Sequence, residues 1–387
     1  MTDCTRSVLF LTHAGDPGGA EYKMVDLCRA MGAAGRVLLF QHGALEAILR
    51  RTHIPFSVAP MSVSARSVRK EGGLRSILQA IPGTLTMLRR VAREGRKNDV
   101  VVCFSQKSFV VASLAKPFTR RPVVWFMNDI LSPEHFSPYL IRMLVWLSRW
   151  SADHVVLNSY ASRQAWLDSG GRTRNVSVIY PGAEAYQAAD RRRDAHRTAA
   201  YRRQYSPNGR PLIGMFGRIS RWKGQEVFLR AIAQLPEVNA VIVGGALFDE
   251  EAYEHRVRDL TRELGIEGRV VFTGHVSDVM ALMAACDVIA HCSTAPEPFG
   301  LVIVQAMLAG VPVIASDAGG AREIVTPGET GQLTPLQDHA ALARAIRRYL
   351  DDPRWSHGVA QQARVRARET FTSEAMAKGF FRVIESL

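Results

Sequence analysis

Two successive sets of short, almost wholly apolar runs, each separated from the next by a helical pattern, constrain this chain more than any other feature. The runs at 7–12, 36–41, 99–104, 122–127, 154–157 and 176–180 read as strands. A strand buried on both faces loses the apolar/polar alternation of a half-wet one, so this repetition points to a parallel sheet covered by helices on both sides. The first run leads into a glycine-rich turn (Gly15, Gly18, Gly19) and a helix over 20–31. Around 183–207 the composition shifts to Arg, Asp and Ala with few large apolar residues, ending in Ser206, Pro207, Asn208 and Gly209. The pattern then restarts, with runs at 211–216, 240–243, 270–272, 288–290 and 312–315. The economical reading is α/β: two doubly wound domains in tandem, one over 1–185 and one over 211–370, joined over 186–210 by a connection that includes a polar surface helix. Open parallel sheets take ligands at the carboxyl ends of their strands. The expected site is therefore the cleft where two such sheets face each other.

With 47% hydrophobic and 22% charged residues, a chain of this length supports packed cores without a disulfide or metal staple. Its five Cys (4, 28, 103, 286 and 292) form no CxxC pair, and no Cys/His cluster has zinc spacing. That fits reduced, buried thiols in a cytoplasmic setting. The apolar run at 8–11 is too short for a signal-peptide core, and the greasiest helix-like stretch, 139–150, is interrupted by Arg142 and Arg149. Neither export by that route nor a membrane span is expected.

The net charge of +13 is unevenly placed: residues 1–185 carry 24 Lys and Arg against 13 Asp and Glu, and the remainder 25 against 23. Much of the excess lies in Arg66, Arg69, Lys70, Arg75, Arg89, Arg90, Arg93, Arg96 and Lys97, between apolar residues at roughly helical spacing. A basic amphipathic surface suits the anionic leaflet of a membrane; the plain alternative is a solvated helix face packed on its own core. Nucleic acid is not expected as a partner, because the stretch has no interleaved aromatics and no nucleic-acid motif is present.

Four places in the second domain carry chemistry. Gly217 and Arg218 follow a strand directly, with Lys223 and Gly224 just beyond. One tight turn could aim both cations at a diphosphate, Arg as a planar fork and Lys as a point charge. Glu297, Pro298, Phe299 and Gly300 precede an apolar helix that ends at Gly310. A helix start opened by glycine offers free N–H groups and a positive dipole end to an anion. Glu297 stands before that helix and Gln305 within it; the plain alternatives are a capping carboxylate and a polar flank. Ser316, Asp317, Ala318, Gly319 and Gly320 form another strand-end turn, and Gly274, His275 and Val276 a loop that could hold a planar base.

In this order and spacing, GRxxxxKG, VxFxGxV, EPFGxxxxxAMxxGxPVIA and GGxxEIV resemble the retaining glycosyltransferases of family four, with support at the front from Gly18, Gly19, Ala20 and Glu21. The resemblance implies the GT-B fold, two Rossmann-like domains about a central cleft, and a C-terminal helix over 371–387 packing back towards the first domain. It implies that Arg218 and Lys223 hold the donor diphosphate and that Glu297 contacts the transferred sugar. By the same resemblance, Phe299, Gly300, Leu301 and Val302 surround the phosphate, Gly217, Gly274 and His275 line the donor site, and Gly18 and Gly19 admit the diphosphate and sugar. No metal and no cofactor beyond the nucleotide-sugar donor is implied.

Two departures stand out. Gln305 replaces a usual second Glu that binds the ribose, and Asn128 with Asp129 replaces a frequent His. Asn128 hydrogen-bonds without titrating near neutrality; His13 and Asp129 are acceptor-side candidates. The expectation is a metal-independent hexosyl transfer to an acceptor saccharide, lipid-linked and met at the inner membrane face, in polysaccharide or glycolipid synthesis. The alternatives are a catalytically weakened sugar-nucleotide-binding protein, or a related epimerase or pseudo-glycosyltransferase.

Overall fold

The structure, a computed structural model, describes residues 5–60, 74–183, 191–246 and 250–387, with the side chains of 74–84 and 191–194 left aside. The chain divides into two compact units: Met1–Gly182 with Ser373–Leu387, and Ala183–Thr372.

In unit 1 the strands are β1 (Val8–Thr12), β2 (Gly35–Leu39), β3 (Phe56–Val58), β4 (Val100–Cys103), β5 (Val123–Met127), β6 (His154–Leu157) and β7 (Val176–Val178). They form one sheet in the order β3-β2-β1-β4-β5-β6-β7, every pair parallel. Successive residues of β1 serve opposite cores. Val8 and Phe10 join Met24, Leu27 and Phe380 on one face, while Leu9 and Leu11 join Phe109, Trp125 and Trp166 on the other. This two-sided burial is why the runs read as continuous rather than alternating. The aromatic contacts are close: the Phe109 and Trp125 rings stack at 4.1 Å and those of Phe104 and Phe126 at 4.7 Å. Helix starts along this unit are held by Ser105, Ser137 and Ser159, each accepting the amide of a residue three further on, a cap worth about 1 kcal/mol.

Unit 2 repeats the plan with β8 (Leu212–Phe216), β9 (Asn239–Val243), β10 (Val270–Gly274), β11 (Val288–His291), β12 (Val313–Ser316) and β13 (Gln332–Thr334). The order is β10-β9-β8-β11-β12-β13, again all parallel. Both sheets thus reverse direction beside their first strand, between β1 and β4 and between β8 and β11. The reading of two Rossmann-like doubly wound domains holds.

The differences lie at boundaries and edges. The polar helix expected within the connection 186–210 is Arg191–Tyr205, and it belongs to unit 2 rather than to a separate linker; residues 184–190 lie outside the described residues. Arg197 pairs with Asp278 at 2.6 Å, and Arg202 reaches Asp287 and the Ala285 carbonyl. β3 and β13, absent from the sequence reading, are short, partly buried edge strands whose apolar signal is correspondingly weak. Of the basic stretch, Arg66, Arg69 and Lys70 lie outside the described residues. Within the helix Leu74–Gly95 and just after it, Arg89, Arg93, Arg96 and Lys97 are exposed, whereas Met87, Val91 and Ala92 are buried. Cys28, Cys103, Cys286 and Cys292 are free and buried, and burial pushes their thiols up.

The terminal helix Ser373–Glu385 supplies Met376, Phe380 and Ile384 to unit 1. Phe380 is fully buried, with its ring 5.7 Å from Phe10 and 6.4 Å from Phe126. Phe380→Ala should destabilise unit 1 by about 3–5 kcal/mol, read by urea unfolding; an unchanged midpoint would show that this helix does not complete the core.

Candidate active site

The loops at the carboxyl ends of β8 and β11 are locked together by close backbone approaches. Gly217 (φ +132°) follows β8 and its N–H donates to the Val243 carbonyl at 2.9 Å. A Cβ on the neighbouring Gly244 (φ +125°) would lie 2.2 Å from the Gly217 oxygen, and one on Gly224 (φ +78°) 2.0 Å from the Cys292 oxygen. Thr294 N–H donates to the Trp222 carbonyl at 2.8 Å. The result is a rigid junction at the place where the strand order reverses, the usual ligand position in open α/β sheets.

Across that junction Lys223 Nζ donates to Glu297 Oε1 at 2.5 Å. The same oxygen accepts from Ser293 Oγ and lies 2.8 Å from His291 Nε2. Burial by itself would raise the Glu297 carboxyl. The Lys223 and His291 charges outweigh it and hold the group well below the ordinary carboxylate range. Glu297 is therefore a fixed anion that orients Lys223, not an N-cap: the helix Leu301–Ala309 is capped by Gly300 (φ +112°) without a side-chain bond. The Trp222 ring lies between two cations, with Arg218 5.4 Å and Lys223 4.3 Å from its centroid.

The remaining donor-side candidates lie on the loops and the helix that follow strands of the same sheet. Gly320 N–H donates to the Glu297 carbonyl at 2.9 Å, and a Cβ on Gly319 would meet that same oxygen at 2.3 Å. Phe299 is buried edge-on against Phe371 at 5.5 Å. Leu301 and Val302 begin the helix, where amides lack intrahelical acceptors, and Gln305 is buried further along it. Gly274 (φ +66°) ends β10 and its carbonyl accepts from Gly244 N–H at 2.8 Å; His275 beyond it is exposed.

Unit 1 places a second polar cluster at the ends of β1, β4, β5 and β6. Glu21, buried in the first turn of the helix Gly19–Met31, accepts from Thr12 Oγ1 at 3.1 Å and from the Gly18 N–H at 3.1 Å; Gly19 begins that helix. Lys23 Nζ donates to Asn128 Oδ1 at 2.6 Å. Asn128 gives its own amide hydrogens to the Phe104 and Phe126 carbonyls at 2.9 and 3.3 Å, so its side chain is committed internally and the ammonium beside it is the charged group. Asp129 accepts from Gln106 Nε2. Burial pushes the Lys23 ammonium down to about 8, against the opposing pull of Glu21 and Asp129. Burial and the Lys107 charge push His13 down to about 4, and its Nδ1 is buried without a hydrogen-bond partner.

Sequence reading missed Lys23, His291 and Ser293. Lys23 did leave a signal, a charge four residues before Leu27 on the apolar stripe of its helix; His291 and Ser293 sit inside and just after a strand with nothing to mark them. Among the described residues no group of three or more His, Cys, Asp or Glu is arranged to hold a metal ion.

Comparison with known proteins bears on both units. Residues 17–185 match the family described as Glycosyltransferase Family 4, and residues 197–368 that described as Glycosyl transferases group 1. Among solved structures, Anabaena Alr3699/HepE in complex with UDP and glucose is 36% identical with TM-score 0.89, over 99% of this chain and 100% of that one. The lipopolysaccharide core biosynthesis mannosyltransferase LpcC of Rhizobium leguminosarum bv. viciae is 34% identical over 44% of this chain and 50% of that protein. A GDP-mannose-dependent phosphatidylinositol monomannoside mannosyltransferase of Mycolicibacterium smegmatis is 30% identical over 52% and 54%. The chain thus spans about half the length of the curated relatives it matches.

Two outcomes follow from the clusters. Lys223→Met strands a buried carboxylate and should cost about 3–5 kcal/mol in urea unfolding, much of it recovered by adding Glu297→Gln. In the wild type the Glu297 contribution is present above the unfolded value of 4.5 and is lost as pH falls through its depressed folded value, so the acid-unfolding midpoint should rise in Lys223→Met. For Lys23 stability also rises with pH, but in an alkaline window and by relief of a burial penalty. The unfolded chain binds the extra proton between about 8 and 10.5, so wild-type stability should gain on the order of 3 kcal/mol relative to Lys23→Met as pH rises across that window. A pH-independent difference between the two proteins would show that Lys23 stays protonated.

Proposed function

Since this chain belongs to the glycosyltransferases of family four, we propose that it moves a sugar from a nucleotide-diphosphate donor to an acceptor hydroxyl. The observation that carries the reading is the Lys223–Glu297 pair fixed across the strand-order reversal of unit 2. As the bond between sugar and diphosphate breaks, negative charge grows on the leaving phosphate, and cations already in position act at that moment. Lys223 and Arg218 supply them, with the amides at the start of the helix Leu301–Ala309 as further donors. The three contacts to Glu297 fall on Oε1, which leaves Oε2 to accept from a hydroxyl of the transferred sugar. Because its charge is held, Glu297 orients and binds and does not donate a proton. Gln305 binds the ribose through neutral hydrogen bonds, and Gly217, Gly274 and His275 stand on the nucleoside side.

Unit 1 provides the acceptor side, where the Lys23–Asn128 pair, Asp129 and His13 meet the incoming hydroxyl and Gly18 and Gly19 leave room for the donor. His13, pushed down to about 4, is a neutral imidazole at physiological pH and serves by hydrogen bonding. Similarity to HepE over nearly the whole chain supports a uridine donor. The relatives named for lipopolysaccharide core and phosphatidylinositol mannoside transfer support a lipid-linked acceptor, which this chain would meet at the inner membrane face. Transfer is metal-independent, of a hexose, and retains configuration, as the family resemblance implies.

A thermal-shift comparison of UDP, GDP and ADP tests the donor, since a nucleotide that binds only the folded protein raises its melting temperature by mass action. UDP should give the largest shift. Lys223→Ala should lower UDP-sugar turnover by about 100-fold or more. Near-normal turnover in that variant would remove Lys223 from the site, and binding without turnover in the wild type would favour a sugar-nucleotide-binding protein.

A further inference from the structure

The helix Pro138–Ser151 buries Ile141, Leu144, Val145, Ser148 and Ser151 against unit 1. Its opposite face departs from what a solvated helix carries. Tyr139, Trp146 and Trp150 are 81%, 59% and 74% exposed, with Met143 exposed between them. Positions 139, 143, 146 and 150 recur at helical spacing, so the four side chains form one stripe, and Arg142 and Arg149 flank it. Exposed apolar residues scattered singly need no explanation; a contiguous aromatic stripe does.

The packed neighbour Gln106–Thr119 extends the same surface with exposed Leu114 and Phe118. Two shallow cavities adjoin this surface, the first of them between the two helices. One, of about 570 Å³, is lined by Lys116, Arg120, Arg121 and Trp150, with Asp153 pairing Lys116 at 2.6 Å and leaving the two arginines as the net charge. The other, also about 570 Å³, shares Arg120 and Arg121 and reaches Arg96 and Phe118. Neither helix contains an Asp or Glu. Aromatic rings standing out beside a cationic groove match a bilayer interface, where Trp and Tyr settle at headgroup depth and Arg meets lipid phosphate.

We propose that the exposed face of Pro138–Ser151, with the Arg120–Arg121 groove beside it, is the surface by which this protein docks on an anionic membrane. The assignment moves the contact from the basic stretch at 66–97 to an aromatic face. It deepens the lipid-linked acceptor of the proposed function and rests on that reading for its purpose, while the binding itself is measured without any transfer.

The test is co-sedimentation of the full chain with vesicles of phosphatidylcholine alone and of phosphatidylcholine mixed with phosphatidylglycerol, at low and high salt. Wild type should bind the mixed vesicles, lose binding as salt rises, and show quenching of tryptophan emission by brominated acyl chains. Trp146→Ser with Trp150→Ser should weaken binding about tenfold or more, and Arg120→Glu with Arg121→Glu should weaken it comparably on anionic vesicles. Both variants should keep the wild-type circular dichroism and UDP thermal shift. If the tryptophan pair fails to fold, the arginine pair and the wild-type quenching still decide. Absence of wild-type binding, wild-type affinity in both variants, or a wild-type dimer that dissociates on Trp146→Ser and Trp150→Ser would overturn the proposal. An intact UDP shift in those samples would leave the donor reading standing.

Discussion

A buried carboxylate with an ammonium, a hydroxyl and an imidazole all directed at one oxygen is the constraint on which the rest of unit 2 depends. Such a charge is tolerable out of water only while its partners stay in place. They come from different segments: Lys223 from the turn after β8, His291 from the end of β11, and Ser293 from the loop beyond. The pair therefore ties together two strand ends that chain connectivity leaves far apart. The glycines follow from it, because Gly224, Gly319 and Gly320 let the backbones come close enough for the side chains to meet. Chemistry and local architecture have one origin here.

Unit 1 answers the same topological opportunity with different means. At its reversal the fixed groups are a glutamate that ties down the Gly18 amide and a lysine seated on an asparagine. The cation in unit 2 is neutralised by direct pairing. In unit 1 its hydrogen-bond partner is neutral and the acids act from nearby, which leaves Lys23 closer to losing its proton. Two sheets that reverse beside their first strand thus carry one cation paired to a carboxylate and one that burial draws towards losing its proton.

The fold was legible because both sheets are parallel and buried on each face, which writes every central strand as a continuous apolar run. Where that condition weakens the reading failed, at the partly buried edge strands Phe56–Val58 and Gln332–Thr334. A polar surface helix could be read in the connecting segment, but its membership of unit 2 could not, because the attachment runs through arginines such as Arg202 rather than an apolar stripe. Arg218, Lys223 and Glu297 could be found because they sit in turns next to glycines, where the sequence is unusual. Their mutual pairing could not, since 74 residues separate Lys223 from Glu297. Asn128 was visible as a departure from pattern, but its commitment to Lys23, Phe104 and Phe126 exists only in three dimensions.

Unit 2 is one uninterrupted stretch of chain, whereas unit 1 is assembled from Met1–Gly182 and the distant Ser373–Leu387. During synthesis, domains generally fold as units in the order they leave the ribosome. Here that order is inverted for completion: the first sheet emerges early but lacks Phe380 and its neighbours until the whole of unit 2 has been made. The unfinished apolar face of β1, β4 and β5 must wait, exposed, while the whole of the second unit is made. Synthesis of the segment Ser373–Leu387 thus seals the first sheet, and a chain terminated before it would be released with its early half open.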